Sequence, residues 1–506
     1  MPRSVCSKYD IMDAKDAYKN IHFPDSFDNL MRARRRFIFE ELFIISVMSQ
    51  RRRLIQRNTT GYVFKKRDFG EFFGSLPFSP TNAQQRAVRE AAGDCASGLS
   101  MNRLVQGDVG SGKTLVAEAL CWLAAKSGCQ SAFMAPTELL AEQHYRTFCE
   151  TLEPLGVKTV LLTGGMGARA KREANEHISR GEADVAVGTH ALISESVRYN
   201  KLGLVITDEQ HRFGVKQRAT LGKKGESPHT LVMSATPIPR TLALILYGDL
   251  DISVIDELPP GRQAIETYAV GEKMRPRIYS FTRKIISEGG QAYFVCPAVE
   301  ESDLDDGRKR AREYAKQLQD EIFPDLRVGL VHGSMKTKDK NTAMGAFISG
   351  ETHILVATTV IEVGVDVPNA TLMVIENADR YGLSQLHQLR GRVGRGGRRS
   401  YCIMFEGSGG DKARERLKIL CETTDGFKIA EADLHQRGPG DFFGSRQHGI
   451  PAARFIEMSS EAETVWQARE AAEKTLERDP ELRLPEHSAL KTRISAITKN
   501  AEGTFN

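Results

Sequence analysis

Residues 26 to 57 hold no Gly or Pro, and their apolar positions, among them Leu30, Phe37, Leu42, Ile45 and Val47, recur at helical spacing. One long helix is expected there, about 45 Å if unbroken. After a Gly/Pro/Ser-marked junction, GSLPFSP at 74 to 80, short apolar runs alternate with helix-length segments, the signature of parallel-sheet α/β units. A first block carries LVQG, CQSAFMAPT, TVLLTG, ADVAVGTH, LGLVITDE and TLVMSAT. A second, past the turn-rich connector ELPPGRQ at 257 to 263, carries QAYFVCP, RVGLVHG, HILVATT, TLMVIEN and SYCIMF. Ligands of open parallel sheets gather at the carboxyl ends of strands, so the small and polar residues closing these runs are expected on one rim. Beyond residue 408 the strand signal stops, leaving a helix-turn-helix pattern over 411 to 436, a Gly/Pro-rich loop and a polar helical tail. The expected division is 1–78 (N-terminal region and long helix), 79–256 and 257–408 (two α/β blocks), 409–450 (hairpin and loop) and 451–506 (helical tail).

Composition changes this picture only a little. The 506 residues suit several domains, each able to bury its own core. A net charge of +5, from 70 Lys and Arg against 65 Asp and Glu, permits an anionic partner without demonstrating one. The placement of charge says more: Arg32, Arg34, Arg35 and Arg36, then Arg51, Arg52, Arg53 and Arg57, cluster toward the ends of the long helix. A solvated helix surface is the default reading of such runs, with direct DNA contact as the alternative. Eight cysteines include no C-x-x-C pair, which argues against a zinc site or disulfide frame and suits structural thiols in a reducing compartment. No apolar run approaches the roughly 20 residues of a membrane span, and the first twenty residues lack a signal-type apolar core. A soluble protein of the cytoplasm is expected.

The chemistry lies at the ends of the apolar runs. GDVGSGKT at 107 to 114 fits the phosphate-cradling pattern G-x-x-x-x-G-K-[ST] and sits between a strand-like and a helix-like segment. Gly107, Gly110 and Gly112 let backbone N–H groups wrap a triphosphate; Asp108, Val109 and Ser111 complete the loop, Lys113 reaches the β/γ-phosphates and the Thr114 hydroxyl ligates Mg²⁺. LGLVITDEQH puts Asp208 and Glu209 directly after a strand, where Asp208 joins Thr114 on the metal and Glu209 activates the attacking water. Gln210 and His211 follow within reach of the γ-phosphate. In the second block QLHQLRGRVGRG at 385 to 396 sets Arg390, Arg392 and Arg395 in a Gly-spaced loop, suited to neutralising charge on a transferred phosphate. For Arg390 a nucleic-acid backbone contact is the alternative. Because this loop and Lys113 lie on different blocks, hydrolysis requires the blocks to close.

The ordered set GDVGSGKT, APTELLA, LLTGG, GTHAL, DEQH, SATPIPRT, LVHGSM, VATTVIEVGVDVPNA and QLHQLRGRVGRG resembles superfamily 2 helicases and translocases. Through DEQHRFGVKQR, SATPIPRTLA, IDELPPGR and DGFKIAEADLHQRGPGDFFGSRQHG (425 to 449) it is most similar to the bacterial RecG family of branch-migrating DNA helicases. The resemblance implies two tandem RecA-like parallel-sheet lobes, a long linker helix ahead of them, and a helical hairpin and C-terminal helices behind. It implies ATP and Mg²⁺ as cofactors and double-stranded and branched DNA as partner, in a monomer of the bacterial nucleoid that contacts single-strand-binding protein. Gln84 in TNAQQRAV matches the adenine-reading glutamine. Thr137, Thr189 and His190, with His332, Gly333 and Thr358, match segments lining the DNA path, and Ser234 and Thr236 match the element linking ATP state to DNA state. Arg437 and Gln447 fall in what looks like the translocation motif shared with the transcription-repair coupling factor.

RecG-like chains also carry an N-terminal wedge domain with an oligonucleotide-binding barrel, whereas this chain opens close to the linker helix, near IHFPDSF at 21 to 27. The motor is therefore expected to be complete, and fork selectivity is expected to be weak without the wedge. Three readings follow: a duplex-DNA translocase that remodels forks and Holliday junctions in repair and recombination, a coupling-factor-like translocase, and a truncated chain that binds DNA or ATP without productive coupling.

Overall fold

The computed structural model describes residues 1–56, 62–208, 225, 227–234, 250–259, 263–297, 304–333, 335–358, 365–407, 410–437 and 462–502. The chain forms two compact units, one of Met1–Asn58, Ile238–Asp251 and Ala430–Asn506, the other of Thr59–Pro237 and Ile252–Ile429.

The second unit contains both sheets. Strands β1 (Asn102–Gly107), β2 (Gln130–Met134), β3 (Thr159–Leu162), β4 (Val185–Gly188), β5 (Leu202–Thr207), β6 (His229–Ser234) and β7 (Asp251–Ile255) build a seven-stranded sheet in the order β3-β4-β2-β5-β6-β1-β7. The described ladders among β1 to β6 are all parallel. Helices cover both faces of such a sheet, which is why its strands read as unbroken apolar runs. Along β2 the faces alternate: Phe133 enters a core with Trp122 and Phe148, while Ala132 and Met134 enter another with Ile178 and Val205. Register aligns the strand ends, Gln106 opposite Ser234 and Met134 opposite both Gly188 and Thr207. Gly107, Thr189, Asp208 and Ser234 thus share one edge.

The second sheet follows the same logic with β8 (Glu266–Val270), β9 (Gln291–Val295), β10 (Val328–Val331), β11 (Ile354–Ala357), β12 (Ala370–Ile375) and β13 (Tyr401–Phe405), ordered β10-β11-β9-β12-β13-β8, with every described ladder parallel. The apolar-run pattern misses β7 and β8. Both stand last in their sheets, where a strand is only half covered, and their alternating exposure (β8 buries none of its residues fully) weakens the signal.

In the first unit the expected long helix runs Phe27–Gln56. Its burial is broader than a single stripe: Ile38, Phe39, Leu42, Phe43, Ile44, Ile45 and Val47 join Val465, Ala468, Ala472 and Leu476 of the Ala462–Arg478 helix and Leu490 and Ile494 of the Ser488–Glu502 helix. The Ala14–His22 helix packs beside it, with Tyr18 edge-on to Phe37 at 4.9 Å. Several of its arginines pair with the unit's own groups. Arg36 is buried on Glu40 at 2.9 Å, Arg35 donates to Gln467 at 2.9 Å and Arg32 pairs with Asp10 at 3.4 Å. The side chains of Arg52, Arg53 and Arg57 lie outside the described residues.

No helix among the described residues is long and apolar enough to cross a membrane. All eight cysteines are free thiols, and the described residues hold no group of three metal-ligating side chains.

His229 pins the start of β6 and sets a pH dependence. It is buried, with Nδ1 accepting from the Met101 N–H at 3.0 Å and Nε2 2.6 Å from the Tyr62 carbonyl, so Nε2 carries the proton and the ring is neutral. Desolvation holds its pKa below the ordinary 6.5, despite the Tyr62 carbonyl and Asp94 pulling the other way. The unfolded chain therefore binds a proton that the folded one refuses, and stability falls as pH drops through 6.5 toward the folded pKa. Between pH 7 and 5 the wild type should lose stability relative to His229→Gln, by about 1.4 kcal/mol per unit of pKa depression. Urea unfolding of both proteins across that range checks it; a constant gap would show that His229 does not titrate differently on unfolding.

Candidate functional site

The phosphate loop forms where β1 ends and the Lys113–Lys126 helix begins. Its turn needs left-handed backbone at Gly110 (φ 75°) and Gly112 (φ 79°), a region that side chains rarely enter. Gly112 also has no room for one, since a Cβ there would lie 2.2 Å from Gln84 Nε2. Gln84 is held at both ends of its amide: Oε1 accepts the Thr81 N–H at 2.9 Å, closing a capping box, and Nε2 donates to the Ser111 carbonyl at 2.8 Å. One amide N–H and one carbonyl lone pair remain for a base edge. An open cleft of about 620 Å³ lies between residues 73 and 85, lined by Phe73, Phe78, Pro80 and Gln85, with no phosphate-loop residue in its wall. Ser111 Oγ is buried without a partner, and the Lys113 ammonium donates to the carbonyls of Gly107 (2.9 Å) and Asp108 (2.8 Å). Thr114 follows on the first turn of the helix.

Asp208 leaves the tip of β5, its N–H bonded to the Met134 carbonyl at 3.0 Å. Its Oδ2 lies 3.1 Å from His144 Nε2, and the imidazole packs against Phe133 at 4.7 Å between ring centroids. The pattern around Asp208 does not reveal His144, whose only signal is an AEQH run seven residues beyond Thr137. Glu209, Gln210, His211 and Thr236 lie outside the described residues, as does Gln447.

The arginine loop follows the Leu383–Arg390 helix, and here one expectation is corrected. Arg390 does not present its guanidinium to a phosphate or a nucleic-acid backbone. It is buried, with Nη1 donating to the carbonyls of Leu420 (2.8 Å) and Thr423 (2.9 Å) and Nη2 to His387 Nδ1 (2.7 Å). The physical reason is helical spacing, since residues 387 and 390 share a face turned to the end of the Gly410–Glu422 helix. Arg392 is also buried, and Arg395 sits 3.7 Å from Asp366 Oδ1 with Nε on the Gly391 carbonyl at 3.4 Å.

The two sheets meet at the phosphate loop. A Cβ on Gly391 would stand 2.6 Å from Val109 Cγ1, so glycine permits the approach. His387 Nε2 lies 2.5 Å from Asp108 Oδ1. Since Arg390 can only donate, His387 Nδ1 accepts and Nε2 donates to Asp108. Asp108 also accepts from the N–H groups of Val109 (2.6 Å) and Gly426 (3.1 Å). Burial alone would raise the Asp108 pKa; the His387 hydrogen bond, with those two N–H groups, pulls it below the ordinary 3.8. A second inter-sheet contact joins the Asp366 N–H to Gln143 Oε1 at 3.1 Å.

The residues assigned to the DNA path are scattered along the same rims. Thr137 caps the Glu138–Leu152 helix, its hydroxyl accepting from Leu140 N at 3.4 Å. Thr189 Oγ1 is buried without a partner, and His190 is exposed. Ser234 ends β6 in a buried position. In the second sheet His332 and Thr358 are buried, with Thr358 N on the Val331 carbonyl at 3.2 Å, and Gly333 is exposed with its carbonyl accepting from Lys340 at 2.5 Å. Arg437 is the last residue of the Gly426–Arg437 helix, and its side chain lies outside the described set.

Family models for the DEAD/DEAH box helicase, the helicase conserved C-terminal domain and domain 3, C-terminal, of ATP-dependent DNA helicase RecG match residues 81–245, 278–397 and 423–502. The chain is 47% identical to the ATP-dependent DNA helicase RecG of Synechocystis sp. over 98% of its own length and 59% of that protein's. With the Bacillus subtilis protein of the same description it shares 45% identity over 98% of this chain and 73% of the relative. A structure of RecG bound to a three-way DNA junction aligns over 94% of this chain and 61% of that one, with TM-score 0.77 and 43% identity. The chain thus spans about three-fifths of the length of the Synechocystis relative.

Gly112→Ala tests the loop's construction. The positive φ alone costs about 1–3 kcal/mol for a non-glycine residue, and the new Cβ must also expel the Gln84 amide from Ser111. In a Gln84→Ala background only the backbone cost remains, so the substitution should destabilise less there. Strictly additive losses in denaturant unfolding would contradict the close contact.

Proposed function

The chain belongs to the RecG family of ATP-dependent DNA helicases, and from that premise we propose that it is an ATP-driven motor acting on double-stranded and branched DNA. The observation that carries this reading is the meeting of the Gly391 loop with Val109 and of His387 with Asp108, which puts the arginine loop of one sheet against the phosphate loop of the other. The residues present fit ATP with Mg²⁺. The left-handed glycines and the unpartnered Ser111 hydroxyl make a cradle at a helix N-terminus, where N–H groups and the dipole favour an anion. Bound Mg²⁺ would draw charge from the phosphate oxygens.

In this reading Lys113 exchanges the carbonyls of Gly107 and Asp108 for phosphate oxygens. Thr114 and Asp208 supply metal-binding oxygens, with His144 fixing the Asp208 carboxylate. Glu209 takes the proton from water, and Arg392 and Arg395 offset charge arriving on the transferred group. Thr137, Thr189, His190, His332, Gly333 and Thr358 contact DNA phosphates, Ser234 and Thr236 convey nucleotide state, and Arg437 and Gln447 serve translocation. Phosphate contacts are blind to sequence, which suits an enzyme that recognises DNA shape. Work at stalled forks and Holliday junctions in the bacterial cytoplasm, as a monomer that meets single-strand-binding protein, completes the proposal. The Synechocystis and Bacillus subtilis relatives, both described as RecG, favour it over a coupling-factor reading.

ATP turnover by the full chain should rise with duplex DNA and fall steeply with salt, because phosphate contacts dominate binding. Lys113→Ala should abolish turnover, Glu209→Gln should keep nucleotide binding while stopping hydrolysis, and Arg392→Lys should lower kcat more than affinity. Steady-state assays on linear, forked and four-way DNA at two salt concentrations measure this; turnover unaffected by Lys113→Ala would overturn the site, and turnover indifferent to any DNA would overturn the motor.

A further inference from the structure

A carboxylate in a loop built to hold anions works against its ligand unless its charge is answered. Asp108 is such a group, with a side chain only 15% exposed. Among the described residues, apart from the N–H of the neighbouring Val109, its donors come from beyond residue 380: His387 at 2.5 Å and the Gly426 N–H at 3.1 Å. Behind His387 stands the buried Arg390 cation, 2.7 Å from Nδ1 and anchored on the Leu420 and Thr423 carbonyls. The order is cation, neutral imidazole, carboxylate, and each member fixes the orientation of the next.

Resting on the ATP site proposed above, we propose that Asp108, His387 and Arg390 form a relay that makes nucleotide affinity depend on the docking of the second sheet's lobe. With His387 docked, the Asp108 charge is tied toward the imidazole and away from the anion cradle. With His387 withdrawn, an unanswered carboxylate remains in the phosphate loop and repels a triphosphate, so the undocked lobe releases nucleotide. These are positioning residues, since none of them needs to touch the reacting atoms. Gly426 extends the arrangement: it opens the helix that ends at Arg437, so the carboxylate that governs the phosphate loop also holds the first turn of the segment resembling the translocation motif.

A merely structural role and a charge relay differ in a double-mutant cycle. Binding of the fluorescent analogue mant-ADP with Mg²⁺ to the 506-residue chain, without DNA, provides a readout independent of turnover. His387→Ala leaves the carboxylate unanswered and should weaken binding by about 30-fold or more. Whatever affinity Asp108→Asn itself shows, the double variant should match it within about threefold, because the penalty of losing His387 exists only while residue 108 is charged. His387→Gln, which keeps a donor near Nε2, should recover most of the loss. Wild-type affinity in His387→Ala, or an undiminished penalty for it in the Asp108→Asn background, would overturn the relay. If His387→Ala alone does not fold, the double variant against Asp108→Asn carries the comparison, and a difference of about tenfold between those two overturns it. A wild type that binds no nucleotide removes the ATP site itself, a failure distinct from loss of the relay.

Discussion

Every described ladder among β1 to β6 and in the second sheet runs parallel, and that one constraint fixes where polar chemistry can sit. Parallel strands need crossover connections, whose helices bury both faces of the sheet. The interior of each lobe is consequently apolar, from Trp122 and Phe133 in one to Phe294 and Phe323 in the other. Functional side chains are left the strand ends, and the registers bring β1, β2, β4, β5 and β6 to a common edge. Asp108, Thr189, Asp208 and Ser234 stand there because the sheet offers no other place for them.

Where two such edges meet, electrostatics decides which polar groups are tolerated. Arg390 illustrates the balance: desolvation lowers its pKa below the ordinary guanidinium range, which marks the cost of burying the cation. Two carbonyls and one imidazole nitrogen offset that cost through charge-assisted hydrogen bonds. Removing any one acceptor would leave part of a guanidinium dry and unpaired, which is worse than an apolar side chain of similar size. The arrangement is therefore all-or-nothing, and it holds His387 in the one tautomer that can donate to Asp108.

Much of this is legible in the sequence because it is local. The phosphate loop, the strand before it and the helix after it are contiguous, so spacing alone locates Gly107 to Thr114. The long helix announces itself by the absence of Gly and Pro, and every strand but β7 and β8 by an apolar run. What stays hidden depends on chain segments far apart: Asp108 and His387 are 279 residues apart, and Asp108 and Gly426 are 318 apart. Arg390 misleads for the same reason. A Gly-spaced arginine advertises phosphate binding, and only the carbonyls of Leu420 and Thr423, some thirty residues on, show that its guanidinium faces inward. The assembly of one unit from Met1–Asn58, Ile238–Asp251 and Ala430–Asn506 likewise has no signature in any single window.

The Glu138–Leu152 helix shows how contacts of this kind accumulate on one rigid element. Thr137 caps its start; one turn and a half later Gln143 accepts the Asp366 N–H from the second sheet's lobe, and the next residue, His144, meets Asp208. Successive helical positions point about 100° apart, so neighbouring residues can face different partners without bending the backbone. A packed helix of this length moves as a body more readily than it deforms, because Leu140, Ala141, Phe148 and Leu152 are buried along its inner face. A displacement that begins at Thr137 must then shift the contact to Asp366 and the contact to Asp208 together. Two contacts that only a three-dimensional fold could pair are in this way tied to a capping threonine that the sequence marks openly.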